Sequence, residues 1–149
     1  MAIDYNLYLA GNPPVEVVAQ WAFPALDDRP TGTVPFLTAD LDEKYGYDVV
    51  VTSGENAYID VVTDDGGWEW EPETFVLVAF RLDKEADRPT AIDNVLSAVQ
   101  RVLAAGEQDA ALVLNGDILL LSRLDGVVAK HRRGAWWSFH PAADQLIPG

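Results

Sequence analysis

The chain has 149 residues, 49% hydrophobic and 23% charged, which is the size and balance of one globular domain spanning 1–149 rather than of a disordered segment. It carries 24 acids against 10 bases, a formal net charge of −14, and no cysteine. Such a field repels phosphate backbones and anionic lipid surfaces, so neither nucleic acid nor a membrane is an expected partner, and disulfides, thiolate chemistry and cysteine-ligated zinc are excluded.

Residues 3–10 alternate in part between apolar and polar positions, which predicts a first strand. Gly11-Asn12-Pro13-Pro14 stops it, and Asn12 is placed to cap a helix with Pro13 in its first turn. Val15, Val18, Ala19 and Ala22 would form the buried stripe of that helix, with Pro24 ending it. Residues 25–35 read as loop, followed by a short extended piece at Phe36–Leu41. Tyr47–Thr52 and Ala57–Thr63 alternate around the turn residues Ser53-Gly54-Glu55-Asn56, which predicts a hairpin with Asp48 and Asp60 on its exposed face. Asp64-Asp65-Gly66-Gly67 is a second turn. In Trp68-Glu69-Trp70-Glu71 the indoles then point one way and the carboxylates the other. Thr74–Leu82 is apolar on both faces, the pattern of a central strand covered on each side.

The clearest helix covers 90–105. Thr90 is its expected cap and Gly106 its expected end, and Ile92, Val95, Leu96, Val99, Val102 and Leu103 recur at three and four. Three strands follow, at 110–114, 117–122 and 127–132, joined by the hairpin signals Asn115-Gly116 and Asp125-Gly126. Trp136, Trp137 and the tail read as a short helix or cap. The order β-α-β-β-β-β-α-β-β-β predicts an α+β fold, a mostly antiparallel sheet with two main helices packed on one face. Some of the acids would lie on the other face.

Charge is unevenly spread. Residues 1–100 hold 19 acids and 5 bases, whereas 101–149 hold 5 of each, and segment 40–73 sets eleven acids against Lys44 alone. That excess marks Asp40, Asp42, Asp48, Asp60, Asp64, Asp65, Glu69 and Glu71 as candidate contacts for a basic protein partner. The plainer use of the same acidity is solubility.

Catalytic and metal-binding signatures are missing. His131 lies in the basic run Lys130-His131-Arg132-Arg133, and His140 precedes Pro141; neither has metal-ligand spacing. Asp40-x-Asp42 resembles the start of a calcium loop, but Lys44 stands at the third ligand position and Tyr45 at the turn glycine. Ser53, Ser97, Ser122 and Ser138 lie outside any Gly-x-Ser-x-Gly motif, and no glycine-rich phosphate or dinucleotide loop occurs. The expectation is therefore no catalytic residue, no metal and no cofactor. Trp68, Trp70, Trp136 and Trp137 suit either core packing, the simpler reading, or interface anchors. Lys130, Arg132 and Arg133 read as a solvated strand end or an internal counter-charge.

One resemblance adds to this. Phe75–Lys84, with its run Phe80-Arg81-Leu82-Asp83-Lys84, is followed by a helix at 91–104, a strand ending in a turn at 109–116, and Ile118-Leu-Leu-Leu-Ser-Arg123 with Leu124-Asp125-Gly126. Together with Ile3–Leu9 this resembles the immunity proteins of the Sit swarming-inhibition toxin systems and their relatives in high-GC bacteria. The resemblance implies a small cytoplasmic protein that binds and neutralises a cognate toxin, and it carries over no catalytic residue. A cytoplasmic setting also agrees with the absence of a signal peptide at Met1–Asn6, and the lack of cysteine is compatible with export by other routes as well. The acidic segment would then face a basic toxin domain. A rival reading is a housekeeping small-ligand-binding domain or an unrecognised hydrolase, with Trp68, Trp70 and Tyr58 lining a pocket.

Overall fold

In the computed structural model, which describes residues 3–149, the strands are β1 (Asp4–Ala10), β2 (Thr31–Thr33), β3 (Phe36–Leu41), β4 (Tyr47–Glu55), β5 (Ile59–Thr63), β6 (Gly66–Trp70), β7 (Thr74–Leu82), β8 (Ala110–Leu114), β9 (Ile118–Leu124) and β10 (Val127–Lys130). The helices are α1 (Val15–Ala22), α2 (Asp42–Tyr45), α3 (Arg88–Ala105) and α4 (Pro141–Leu146). The architecture is α+β, as the sequence pattern predicts. Strands run in the order β2-β3-β4-β7-β1-β8-β9-β5-β6, with β10 also paired to β9. Every pairing is antiparallel except a single parallel bridge, Val62↔Ile118, between β5 and β9.

The apolar run Thr74–Leu82 is central, paired with β4 on one side and β1 on the other. One face of it, Val76, Val78, Phe80 and Leu82, is buried in the main core with Leu7, Leu9, Val49 and Val51. Helices α1 and α3 close that core, through Val15, Val18, Ala19 and Ala22 from the first and Ile92, Val95, Leu96, Val99 and Val102 from the second. These are the stripes that the three-and-four spacing predicts. The opposite face of β7, Phe75, Leu77 and Ala79, is only half-buried. Its expected second cover is thus incomplete.

Both helix starts differ from the expectation. Helix α1 begins after both prolines, with Pro14 rather than Asn12 at its N-cap and no side-chain cap bond. In α3 the cap is Asp87, whose carboxylate accepts from the Thr90 N–H at 3.3 Å and from the Thr90 hydroxyl, so Thr90 supports the cap instead of supplying it. Gly106 ends α3 in an extended conformation, and Arg123 satisfies a carbonyl of the last turn by donating to Leu103 O at 2.6 Å.

The hairpin predicted between 47–52 and 57–63 does not form. Strand β4 continues to Glu55 and pairs with β3 and β7, while β5 pairs with β6 and touches β9. The β5–β6 hairpin instead folds over the non-helical face of the sheet, where Ile59 and Val61 pack on Ala111, Val113 and Leu119, with Tyr8, Trp68 and Trp70 at the margin. Leu119 can reach that side because of an irregularity. Leu112 pairs with Leu121 and Val113 with Leu119, so Leu120 is an extra residue and turns to the main core beside Leu121.

The C-terminal turns follow the sequence. Asn115-Gly116 and Asp125-Gly126 all have positive φ, the geometry a tight hairpin needs. Trp136 and Trp137 are core residues, and the Trp137 indole N–H donates to Leu120 O at 2.9 Å. Lys130 is an internal counter-charge: its side chain is 3% exposed, 2.6 Å from Asp144 Oδ1, and lies over the Trp137 ring.

Candidate functional site

Strand pairing divides the eight candidate acids into three places. Asp40 stands opposite Asp48 across the β3–β4 ladder, and α2 begins two residues after Asp40. The Asp42 N–H donates to Asp40 Oδ1 at 3.1 Å, and this turn brings the carboxylates of Asp40, Asp42 and Asp48 within 4.8 Å of one another. Gly46, at φ 88°, closes the turn and sends the chain back into β4; a Cβ there would collide with Ala91 and Ala86.

Asp60 lies elsewhere. It pairs with Glu69 on the outward face of the β5–β6 hairpin, where the Tyr58 hydroxyl donates to Glu69 Oε1 at 2.8 Å. That bond pushes the Tyr58 phenol up to about 12. Glu71 follows β6 on the same exposed side. Asp64 and Asp65 occupy the hairpin turn, and Asp64 Oδ2 accepts from the Arg132 N–H at 2.9 Å, tying the turn to the segment after β10. Asp48 and Asp60 therefore do not share a hairpin face. The stretch 53–56 does not reverse the chain there: Ser53, Gly54 and Glu55 are the end of β4 and pair with Val76, Phe75 and Thr74 of β7.

Tertiary folding adds acids that the sequence pattern left in loops. A cavity of about 520 Å³ is lined by Asp27, Asp28, Asp40, Asp42, Glu43 and Lys44. A second, of about 500 Å³, shares Asp42 with it and adds Asp48, Asp83 and Glu85 beside Arg81 and Lys84. Four separate segments thus converge on one end of the sheet. No periodicity marks Asp27, Asp28, Asp83 or Glu85, since loop carboxylates have no repeating environment; only the adjacent pair Asp27-Asp28 hints at a concentration of charge.

Two nearby cations, Lys44 and Arg81, are already engaged. Lys44 Nζ is 2.6 Å from Asp28 Oδ1, and the Tyr45 hydroxyl donates to Asp28 Oδ2 at 2.7 Å. These two bonds hold the 6%-exposed Asp28 carboxyl below its ordinary range. Arg81 Nε is 2.9 Å from Asp4 Oδ1. The Asp40–Asp42–Asp48 trio is left with three carboxylates in close array. Partial burial, and then the charges of Asp48 and Asp40, push Asp42 up to about 6. Three oxygen ligands at this spacing suit a hard cation, and equally the ammonium or guanidinium of a partner's side chain.

The pocket of the rival reading does not assemble. Trp68 and Trp70 are paired with Val61 and Ile59 and turn inward with them, whereas Tyr58 is on the outward side with Glu69. Ser122 and His131 do approach, with Oγ to Nε2 at 3.1 Å, but Ser122 is 5% exposed and its hydroxyl is closed to a substrate. Burial holds His131 below the usual imidazole range. His140 stacks on Trp136, with Nδ1 2.9 Å from Trp136 O.

Comparison with known proteins yields one finding. A family model described as SitI3-like matches residues 3–141, nearly the whole chain. No curated protein and no solved structure matches.

Proposed function

As the chain belongs to the SitI3-like family, an immunity-type family, we propose that it binds a cognate bacterial toxin and neutralises it by direct contact, as a cytoplasmic protein without catalytic activity of its own. The toxin contributes a basic domain, and the carboxylates gathered around Asp42 receive it. One observation carries this reading. The sheet keeps Asp40 directly opposite Asp48 and folds Asp42 against both, while Lys44 and Arg81 bond to other acids. Like charges directly opposed across strands are unfavourable, by roughly 0.2–1 kcal/mol per pair. A binding surface has reason to retain them, because a basic partner relieves the repulsion on docking. Asp60 and Glu69 form a second opposed pair on the hairpin, and with Glu71, Asp64 and Asp65 they extend the attractive field without touching the first cluster through any strand pairing.

The test is co-expression with the product of a toxin-sized reading frame neighbouring this chain's gene, scoring growth and co-purification, followed by stopped-flow association at several salt concentrations. Growth should be protected, and the association rate should fall by about tenfold or more between low and high salt. Protection by a variant that no longer co-purifies would overturn direct neutralisation. A salt-independent association rate would overturn the acidic docking end.

A further inference from the structure

The uncovered half of the sheet's non-helical face gives the partner a place to dock, and we infer that this face, over β3, β4, β7 and β1, seats the basic partner. The inference rests on the toxin-binding reading above and specifies where, and with what chemistry, contact is made.

Helices cover one side of the sheet, and the β5–β6 hairpin covers the β8–β9 half of the other. Over β3, β4, β7 and β1 the register builds successive rows. The first is Asp40–Asp48–Arg81–Asp4, and the second is Thr38–Val50–Ala79–Asn6. The third is Phe36–Thr52–Leu77–Tyr8. A groove of about 410 Å³ runs over the middle of this lattice, with Val50, Leu77 and Ala79 in its floor and Asp4, Asp48 and Arg81 at one end. Phe36, 61% exposed, stands at the β3 side.

Central strands with apolar residues on both faces ordinarily lie under a second layer. Here the second layer stops short, and half-buried valine, leucine and alanine meet solvent beside a charged row. In that row Arg81 answers Asp4 at 2.9 Å, so Asp40 and Asp48 remain, with Asp42 close by. The surface therefore complements a partner that sets an arginine or lysine next to aliphatic or aromatic side chains. Charge argues against a second copy of this chain, which would bring the same carboxylates at a net −14 per molecule. The backbone beneath is hydrogen-bonded on both sides in β4, β7 and β1. Docking on it would cost little ordering.

The experiment compares point variants against the toxin domain identified by the co-expression test above, by titration calorimetry and growth protection. Ala79→Arg and Thr38→Arg put bulk and positive charge into the groove floor and its β3 side; Val62→Arg puts the same group on the exposed hairpin, outside the face. The first two should each weaken binding by about 30-fold or more, and Val62→Arg by less than about threefold. Thr38 is exposed, so its variant stays informative if Ala79→Arg fails to fold, and circular dichroism checks each protein. Hydrogen exchange of the wild-type complex should show new protection in β3, β4 and β7. Wild-type affinity in both groove variants, with loss in Val62→Arg or protection confined to the helices, overturns this face while leaving toxin binding intact. Failure of the wild-type chain to bind or protect overturns the functional reading itself. A concentration-dependent dimer blocked by Thr38→Arg would assign the face to self-association instead.

Discussion

Asp48 faces Asp40 directly across the β3–β4 ladder, with the Asp42 carboxylate folded to within 4.8 Å of both. On its other side Asp48 is opposite Arg81, which spends its closest contact, 2.9 Å, on Asp4. The row is left electrostatically unbalanced toward negative charge, on the strands that border the open face.

Removing charge from this row should stabilise the free protein and harm its function. Asp40→Asn keeps an oxygen that accepts from the Asp42 N–H and deletes the repulsion with Asp48. Urea unfolding should show a gain of about 0.5 kcal/mol. Association with the basic partner should become slower and less salt-dependent. A destabilised Asp40→Asn, or an unchanged association rate, would count against the opposed pair as a retained binding feature.

Asp42 supplies a pH dependence. Its folded-state value, about 6, is above the ordinary 3.8, so between these values the folded chain binds more protons than the unfolded one. Its contribution is fully favourable below about 3.8 and is lost as pH rises through about 6. Partner binding runs the other way, because a basic side chain prefers the ionised carboxylate. Affinity should weaken as pH falls from 7 to 5, and Asp42→Asn should flatten that part of the profile. An unaltered profile in the variant would remove Asp42 as its source.

The pair Lys130–Asp144 should respond asymmetrically. Lys130 is 3% exposed at the side chain, whereas Asp144 is 44% exposed. Asp144→Ala strands a buried ammonium, which keeps only the Asp144 carbonyl at 2.9 Å and the Trp137 ring. It should cost about 3 kcal/mol. Lys130→Met removes the buried charge and keeps the aliphatic volume, at a cost of about 1 kcal/mol or less. Denaturant unfolding of both variants decides the order, and the reverse order would refute the argument.

Arg123 joins β9 to the end of α3. It donates to Leu103 O at 2.6 Å and to Gln108 O at 2.9 Å, and burial lowers the affinity of its guanidinium for a proton. Arg123→Ala leaves both carbonyls without this donor and should cost about 2–4 kcal/mol. Arg123→Lys offers a single point donor and should recover less than half of that. Hydrogen exchange should report the loss first in the last turn of α3.

Much of the fold is legible in local pattern because its causes are local. The stripe of α3, the positive-φ turns at Asn115-Gly116 and Asp125-Gly126, and the doubly apolar strand β7 each depend on neighbours within a few residues. Cap assignment failed where two polar residues competed. Asp87 and Thr90 are both good caps, and Pro89 inside the first turn favours the earlier one.

By itself the sequence determined the α+β class, most strand and helix segments (though not β2, which lies in the stretch read as loop, nor α2), the excess of acid before residue 100, and the likeness to an immunity family that the matched residues 3–141 bear out. Tertiary structure alone decided which strands meet. Alternation states which side chains share a face of one strand, but the partner strand is chosen by burial across the whole sheet. Leaving β4 to pair with β3 and β7 put Asp48 beside Asp40 and Arg81, and sent Asp60 away with β5. It also brought Asp27, Asp28, Asp83 and Glu85 to the same end, since loops go where the strands they connect must lie.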